Sequence, residues 1–594
     1  MKKNKNTLSN VLFIIFNLFI AIILFVLANP NFITPKGISF FAWFIYIPVL
    51  FIIQKSKLKN VWFTGFLYGG LSYLLLVYWL KNYDSFCLYP VVFFYAICLA
   101  LLFLLLKLTD MLFKRDAWLV QWLIICSYEY LKTLGFLGFS YGVTAYTQWN
   151  HPILIQICSL IGIFGFNLIV IFPSCIIYAF IRKLQERRKI IYMMETDNSF
   201  YDCKTHVNYV SEYDKKVKQL GLKLTVIVAA LWCSAFIFTI IYGKVIIEQN
   251  IKNKSTAKSM VANDVSQNFV KIALIQHNEN PFENGVNVYR KNIQKLMALT
   301  DNALEILPDI DFVVWPETAV VPSIEYQYYT HKDEVRYKLV SSLLEYIDSR
   351  NPVFVVGNGV RAFDEKTGEG KEKYNSALVF TPGKNVLPPE PQVYNKIHLV
   401  PISEYFPYEK KLPRLSSLIM KHEKNMWTPG SDYKVFSIKK SEKTSAGTDT
   451  FNFSTLICYE DTFTNIARQM YLNGARCFIN LSNDSWSKSE ACQYQHLANA
   501  VFRSVENRVP SMRSTASGQS CIINQFGQIE QMAPSFCETY VVGEVPVFNT
   551  QRKATLYTKY GDVLGYGTVI LSAALLIMRL IIVIIISIKN KLKK

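Results

Sequence analysis

The sequence predicts a membrane protein in two parts: eight transmembrane helices and one extramembrane α/β domain. Three observations predict it. Hydrophobic residues make up 51% of the chain and charged residues 18%, a balance suited to a chain partly dissolved in lipid. Eight apolar runs are long enough to cross a bilayer, which takes about 17–25 residues of helix. Residues 269–548 have globular composition, with β-branched runs alternating with amphipathic helical stretches.

The apolar runs lie at 10–28, 38–54, 61–80, 88–107, 117–134, 155–181, 224–243 and 564–588. The second is short and the fifth contains Glu129, read as a polar partner within the bundle. The first follows the basic start "MKKNKN" and has no small-x-small cleavage site, so it is expected to be an uncleaved anchor. Basic residues cluster at alternate loops: Lys2, Lys3 and Lys5; Lys55, Lys57 and Lys59; Lys107, Lys114 and Arg115; "RKLQERRK"; and the closing "KNKLKK". The loops between carry Lys36 and Lys81, and 135–154 carries no Lys, Arg, Asp or Glu. The positive-inside rule then puts both termini in the cytoplasm and the large domain outside. The net charge of +19 therefore points to a membrane and not to nucleic acid. Residues 1–244 are expected as a seven-helix domain with a cytoplasmic loop at 183–223, 245–268 as a linker, and 549–594 as the last span and tail.

In the extramembrane domain the strand candidates are "VKIALIQ", "DFVVWPE", "PVFVVGNGV", "YNSALVF", "FSTLICYE" and "ARCFINLSN", with helices near 286–306, 333–349 and 491–508. Polar side chains at the carboxyl ends of strands converge on a ligand crevice in such folds. Glu317 ends "DFVVWPE", Cys458 closes "STLIC", and Lys396 follows an extended segment in "VYNKIHLVP". Glu317 as general base would take the thiol proton of the nucleophile Cys458. Lys396 would stabilise the oxyanion, with the backbone N–H after Cys458, and would favour thiolate against the acids Glu460 and Asp461. Taken singly, each residue is more often packing, turn or surface; their shared place at strand ends joins them. Ser485 with His496 is a weak alternative, because "NLSNDSW" lacks the strained turn of a nucleophile elbow. The twelve cysteines include no CxxC pair, so neither a zinc site nor any other metal is expected.

These motifs resemble the nitrilase superfamily: "WPETA" fits its Glu motif, "YNKIHLVPISEYFP" its Lys motif and "LICYEDTF" its Cys motif, in the family's order. The resemblance implies an α/β/β/α nitrilase-like sandwich. Seven spans before such a domain and one after it are similar to the apolipoprotein N-acyltransferase family. Membership would imply a ping-pong acyltransferase in the bacterial inner membrane with no cofactor. It would carry a fatty chain from a phospholipid, through a thioester on Cys458, to the amino terminus of a diacylglyceryl apolipoprotein. A monomer and no nucleic-acid partner are expected. By the same match Glu404 would hold Lys396, Tyr459 and Glu460 would shape the pocket, and Asn375 would help place these groups. Phe282 stands where the family often has Trp. The alternatives are a membrane-anchored amidase, which shares the triad, and a transporter with an inert outer domain.

Overall fold

The computed structural model describes residues 2–195, 222–260, 269–362, 372–408, 411–422, 426–439, 450–546 and 553–592. Among these, five helical stretches are long and apolar enough to cross a bilayer: Leu8–Ala28, Cys87–Leu131, Cys158–Lys189, Lys223–Gln249 and Val563–Leu592. The sequence leads one to expect eight, and the difference has local causes. The second run divides into a 3-10 turn, Ser39–Phe44, and a helix, Tyr46–Lys55. Pro48 has no N–H to donate, so it is tolerated only in the first turn of that helix. The third run is the helix Leu58–Leu76, diluted by Lys59, Asn60 and its glycines. The fourth and fifth are the helices Ser85–Phe113 and Ala117–Leu131, contiguous through the turn Lys114–Asp116 but folded back on one another, with Gln121 Nε2 donating to the Leu106 carbonyl at 3.0 Å.

Gly65 and Gly69 let the helix Leu58–Leu76 approach Ser85–Phe113 closely. A Cβ at either would come within 2.7 Å of the carbonyl of Leu99 or Tyr95. Small residues four apart are the usual way to bring helices together in lipid. Glu129 has the structural role expected of it. Its carboxylate accepts from Tyr46 Oη, Thr144 Oγ1, Thr144 N and Asn167 Nδ2. Two loop expectations are corrected. The helix begun at Cys158 runs to Glu195, into the expected loop 183–223, whose residues 196–221 lie outside the described ones. The stretch 245–260, expected as linker, continues the helix Leu222–Met260, and 261–268 lies outside the described residues.

The extramembrane domain has two six-stranded sheets. The first has the order β12-β1-β2-β3-β4-β5 and the second β11-β10-β9-β8-β7-β6. The strands are β1 (Phe269–Gln276), β2 (Phe312–Val320), β3 (Val353–Arg361), β4 (Lys373–Phe380), β5 (Gln392–Asn395), β6 (Phe436–Lys439), β7 (Thr450–Ile457), β8 (Phe478–Ser482), β9 (Ser511–Thr515), β10 (Cys521–Ile523), β11 (Ile529–Met532) and β12 (Thr539–Pro546). Side chains alternate across each strand. Ile272 and Leu274 thus face the second sheet in one core, with Val314, Phe453, Ile479 and Met512. Ala273 and Ile275 face outward to the helices Val286–Ile306 and Glu334–Asp348 through Ile293, Leu296, Leu343 and Ile347. The outer face of the second sheet carries the helix Glu490–Asn507. Its Leu497, Val501, Phe502 and Val505 share a core with the membrane helices. The layering is α/β/β/α, with the last helix layer seated on the bundle.

Candidate active site

Three chain segments meet, one from within β2 and two from the carboxyl ends of β5, an edge strand, and β7. Within β2, the pairing with β3 loses its register between Trp315 and Val320, and Thr318 has φ of +47°. This break turns the Glu317 carboxylate into the space between the sheets' ends. Gly357 in β3 makes the turn possible, since a Cβ there would lie 2.0 Å from the Pro316 carbonyl oxygen. Lys396 directly follows β5, and Cys458 directly follows β7 at the start of the 3-10 turn Cys458–Thr462. Cys458 has φ of +50°, a left-handed backbone that costs a residue with a Cβ about 1–2 kcal/mol. The thiol is thereby presented on a sharp strand-to-helix turn.

The structure brings Glu317, Lys396, Glu404, Asn375 and Cys458 together. Glu317 Oε1 accepts from Asn375 Nδ2 at 2.8 Å and from Lys396 Nζ at 3.3 Å. Its Oε2 accepts from the backbone N–H of Asn483 at 3.0 Å, a contact no sequence motif announced. The Cys458 sulfur is close enough that the charges of Glu317 and Lys396 both act on it. Lys396 Nζ donates to Glu404 Oε1 at 2.9 Å, and Glu404 Oε2 in turn accepts from Val400 N at 2.8 Å. Phe282 lies apart from this cluster, half exposed, with the Lys488 ammonium 5.7 Å above its ring.

Burial sets the protonation states. It raises the Glu317 pKa above the ordinary carboxyl value, with Lys396 pulling it back. Burial alone would lower that of Lys396, but Glu404 and then Glu317 outweigh it and hold the ammonium well above its usual range. Burial and Glu317 push the Cys458 thiol well above its usual pKa, and Lys396 only partly opposes them. Buried beside Glu317, the Cys458 sulfur is held toward its thiol form.

The two acids after Cys458 do not face the thiol. Glu460 Oε1 accepts from Tyr394 Oη at 2.8 Å, Ile397 N at 2.7 Å and His398 N at 3.1 Å, while Oε2 accepts from Ile457 N at 2.7 Å. One carboxylate therefore ties the residues after Lys396 to the residue before Cys458. Burial pushes its pKa up to about 7 against the pull of those donors. Asp461 bonds Arg513 and lies 2.9 Å from His496 Nε2. Tyr459 turns toward the membrane helices, its hydroxyl donating to the Gly138 carbonyl at 2.6 Å. Ser485 Oγ donates to Asn483 Oδ1, whereas His496 bonds Asp484 and the Cys458 carbonyl, so the Ser485–His496 pair does not form. Cys458 Sγ, an Asp484 oxygen and a His496 nitrogen lie within 4.8 Å of one another. Each ring nitrogen has an oxygen within hydrogen-bond distance, Asp484 on Nδ1 and the Cys458 carbonyl on Nε2.

Residues 271–553 match the family model described as carbon-nitrogen hydrolase, and residues 12–176 match that of the apolipoprotein N-acyltransferase N-terminal domain. The chain is 35% identical over 587 residues to apolipoprotein N-acyltransferase 1 of Treponema denticola, covering 97% of each chain. It is 35% identical over 561 residues to the like-named protein of Treponema pallidum, covering 94% of each. It is 27% identical over 550 residues to the apolipoprotein N-acyltransferase of Borreliella burgdorferi, covering 91% of each. These similarities run through the membrane helices as well as the catalytic fold. The chain belongs to the apolipoprotein N-acyltransferase family.

Proposed function

We propose that this enzyme moves a fatty acyl chain from a membrane phospholipid to the N-terminal amine of a diacylglyceryl apolipoprotein, through a thioester on Cys458. The single observation that carries the reading is the buried contact of Lys396 Nζ with Glu317 at 3.3 Å, with the Cys458 sulfur within electrostatic reach of both. In the first half, Glu317 takes the thiol proton and sulfur attacks the ester carbonyl carbon. Negative charge gathers on the carbonyl oxygen, opposite the Lys396 ammonium and the N–H of Tyr459. The ester C–O bond then breaks, and the glyceryl oxygen leaves with the proton from Glu317 as lysophospholipid. In the second half the lipoprotein amine attacks the thioester. Glu317 accepts the amine proton and returns it to sulfur, leaving an amide and a free thiol.

Eight spans with both termini cytoplasmic and the catalytic domain on the periplasmic side of the inner membrane complete this reading. An acyl chain resists leaving the bilayer by about 0.8 kcal/mol per CH₂. A thiol serving such a substrate belongs near the lipid surface. The bond from Tyr459 to Gly138, and those from Gln495 to the carbonyls of Pro30 and Leu76, support that placement.

The test uses purified enzyme in phospholipid vesicles with and without a diacylglyceryl lipopeptide. Lysophospholipid and N-acylated peptide should accumulate in equal amounts. Steady release of free fatty acid without peptide would make the enzyme a hydrolase and contradict the reading.

A further inference from the structure

We propose that His496 is a positioning residue that aims the backbone N–H of Tyr459 at the oxyanion formed on the attacked acyl carbon. The inference rests on the acyl-transfer reading above and adds a residue that no motif assigned. His496 lies on the helix Glu490–Asn507 and is 1% exposed. Its Nε2 is 3.0 Å from the Cys458 carbonyl oxygen, and its Nδ1 is 2.9 and 3.1 Å from the two Asp484 oxygens. A backbone carbonyl and a carboxylate only accept, so each nitrogen must bring a proton and the ring is an imidazolium.

The surrounding charges require the same state. Arg513 Nη1 bonds Asp461, and its Nη2 lies 3.8 Å from Asp484. With His496 charged, the buried quartet of Asp461, Asp484, Arg513 and His496 sums to zero. A neutral ring would leave one uncompensated negative charge under the nucleophile, which burial makes costly. Asp461 Oδ1 lies 2.9 Å from Nε2 as an ion-pair partner, while the Cys458 carbonyl meets Nε2 in hydrogen-bond geometry. The Nε2 proton is thus directed to the Cys458 carbonyl.

That carbonyl belongs to the peptide joining Cys458 to Tyr459, which is trans. In a trans peptide the C=O and N–H point opposite ways. Anchoring the oxygen on His496 therefore fixes the N–H of Tyr459 on the side away from the charged quartet. The left-handed φ of Cys458 is unfavourable by itself, so the plane of this peptide needs an external hold. A cationic donor on the carbonyl also polarises the peptide and strengthens its N–H as a donor.

The experiment uses the full chain in phospholipid vesicles and two readouts. One is the rate of acyl adduct formation on Cys458, followed by intact mass. The other is the rate of Cys458 alkylation by iodoacetamide, a displacement that forms no oxyanion. Two variants are compared: His496→Gln, whose amide still donates, and His496→Met combined with Asp484→Asn, which keeps the quartet neutral but removes the donor. The double variant should acylate about 100-fold more slowly, the effect of losing one oxyanion donor, while alkylating within about threefold of the wild type. His496→Gln should recover a large part of the lost rate. Parallel loss of both rates, or acylation unchanged in the double variant, would overturn the assignment. A wild-type chain that alkylates but forms no acyl adduct would instead overturn the acyl-transfer reading beneath it.

Discussion

Lys396 lies closer to Glu404, at 2.9 Å, than to Glu317, at 3.3 Å. The ammonium is thus held mainly by Glu404, which on the proposed mechanism leaves Glu317 to take the thiol proton. Replacing Glu404 by Gln removes the larger of the two attractions that keep a buried ammonium charged. Breaking one side of such a pair costs about 3–5 kcal/mol. Turnover of Glu404→Gln should fall at least tenfold. The Lys396 pKa should also drop, so the alkaline limb of the pH–rate profile should move to lower pH. An unmoved limb would remove Glu404 from this role.

Glu460 offers a different kind of test, because it touches neither the thiol nor the ammonium. Its four accepted bonds align Ile397 and His398 with Ile457. Glu460→Gln replaces an acceptor oxygen with an NH₂ group that faces N–H donors, leaving at least one buried donor without a partner at about 1–3 kcal/mol. Expected are a lower melting temperature and acylation slowed by at least tenfold. Wild-type acylation in a destabilised variant would show that the alignment does not matter for chemistry.

His496 predicts a pH dependence of stability. Burial would lower its pKa, but Asp461 and Asp484 outweigh burial and the repulsion of Arg513, raising it from 6.5 to about 10. Between these values the folded chain holds a proton that the unfolded chain has lost. That contribution is fully present below pH 6.5 and is lost as pH rises through about 10, with a slope near 1.4 kcal/mol per pH unit. Melting curves from pH 6.5 to 10 should fall for the wild type and be flatter for His496→Gln. Equal slopes would contradict a charged His496.

Tyr459→Phe removes only the hydroxyl that reaches Gly138. A neutral hydrogen bond is worth about 0.5–1.5 kcal/mol. The variant should lose a comparable amount of stability and only a few-fold of activity, measured as lipopeptide acylation. A loss above a hundredfold would assign the hydroxyl to the chemistry itself.

Much of the catalytic fold was legible because its signals are local. Period-2 runs gave β1 to β4, β7 and β8, and polar residues at their ends placed Glu317, Lys396 and Cys458 in one crevice. What escaped depends on contacts between distant segments. Glu460 and Asp461 read as charges that oppose a thiolate, whereas the fold satisfies them with backbone N–H groups and Arg513. In the sequence His496 reads only as a partner for Ser485 and Asp484 has no role, whereas in the fold the helix Glu490–Asn507 brings the ring beneath Cys458. In the membrane part, hydropathy found the runs but not their breaks. Pro48 and the Lys114–Asp116 turn altered element lengths that composition alone averages over.

The central claim is that a fatty chain rests on the Cys458 sulfur, and intact-mass analysis of enzyme incubated with phospholipid alone tests it most directly. The account predicts a single acyl increment, mapped to Cys458, absent from Cys458→Ala and discharged on adding lipopeptide. Lipopeptide acylation by Cys458→Ala, or an increment that stays bound when the acceptor arrives, would contradict it.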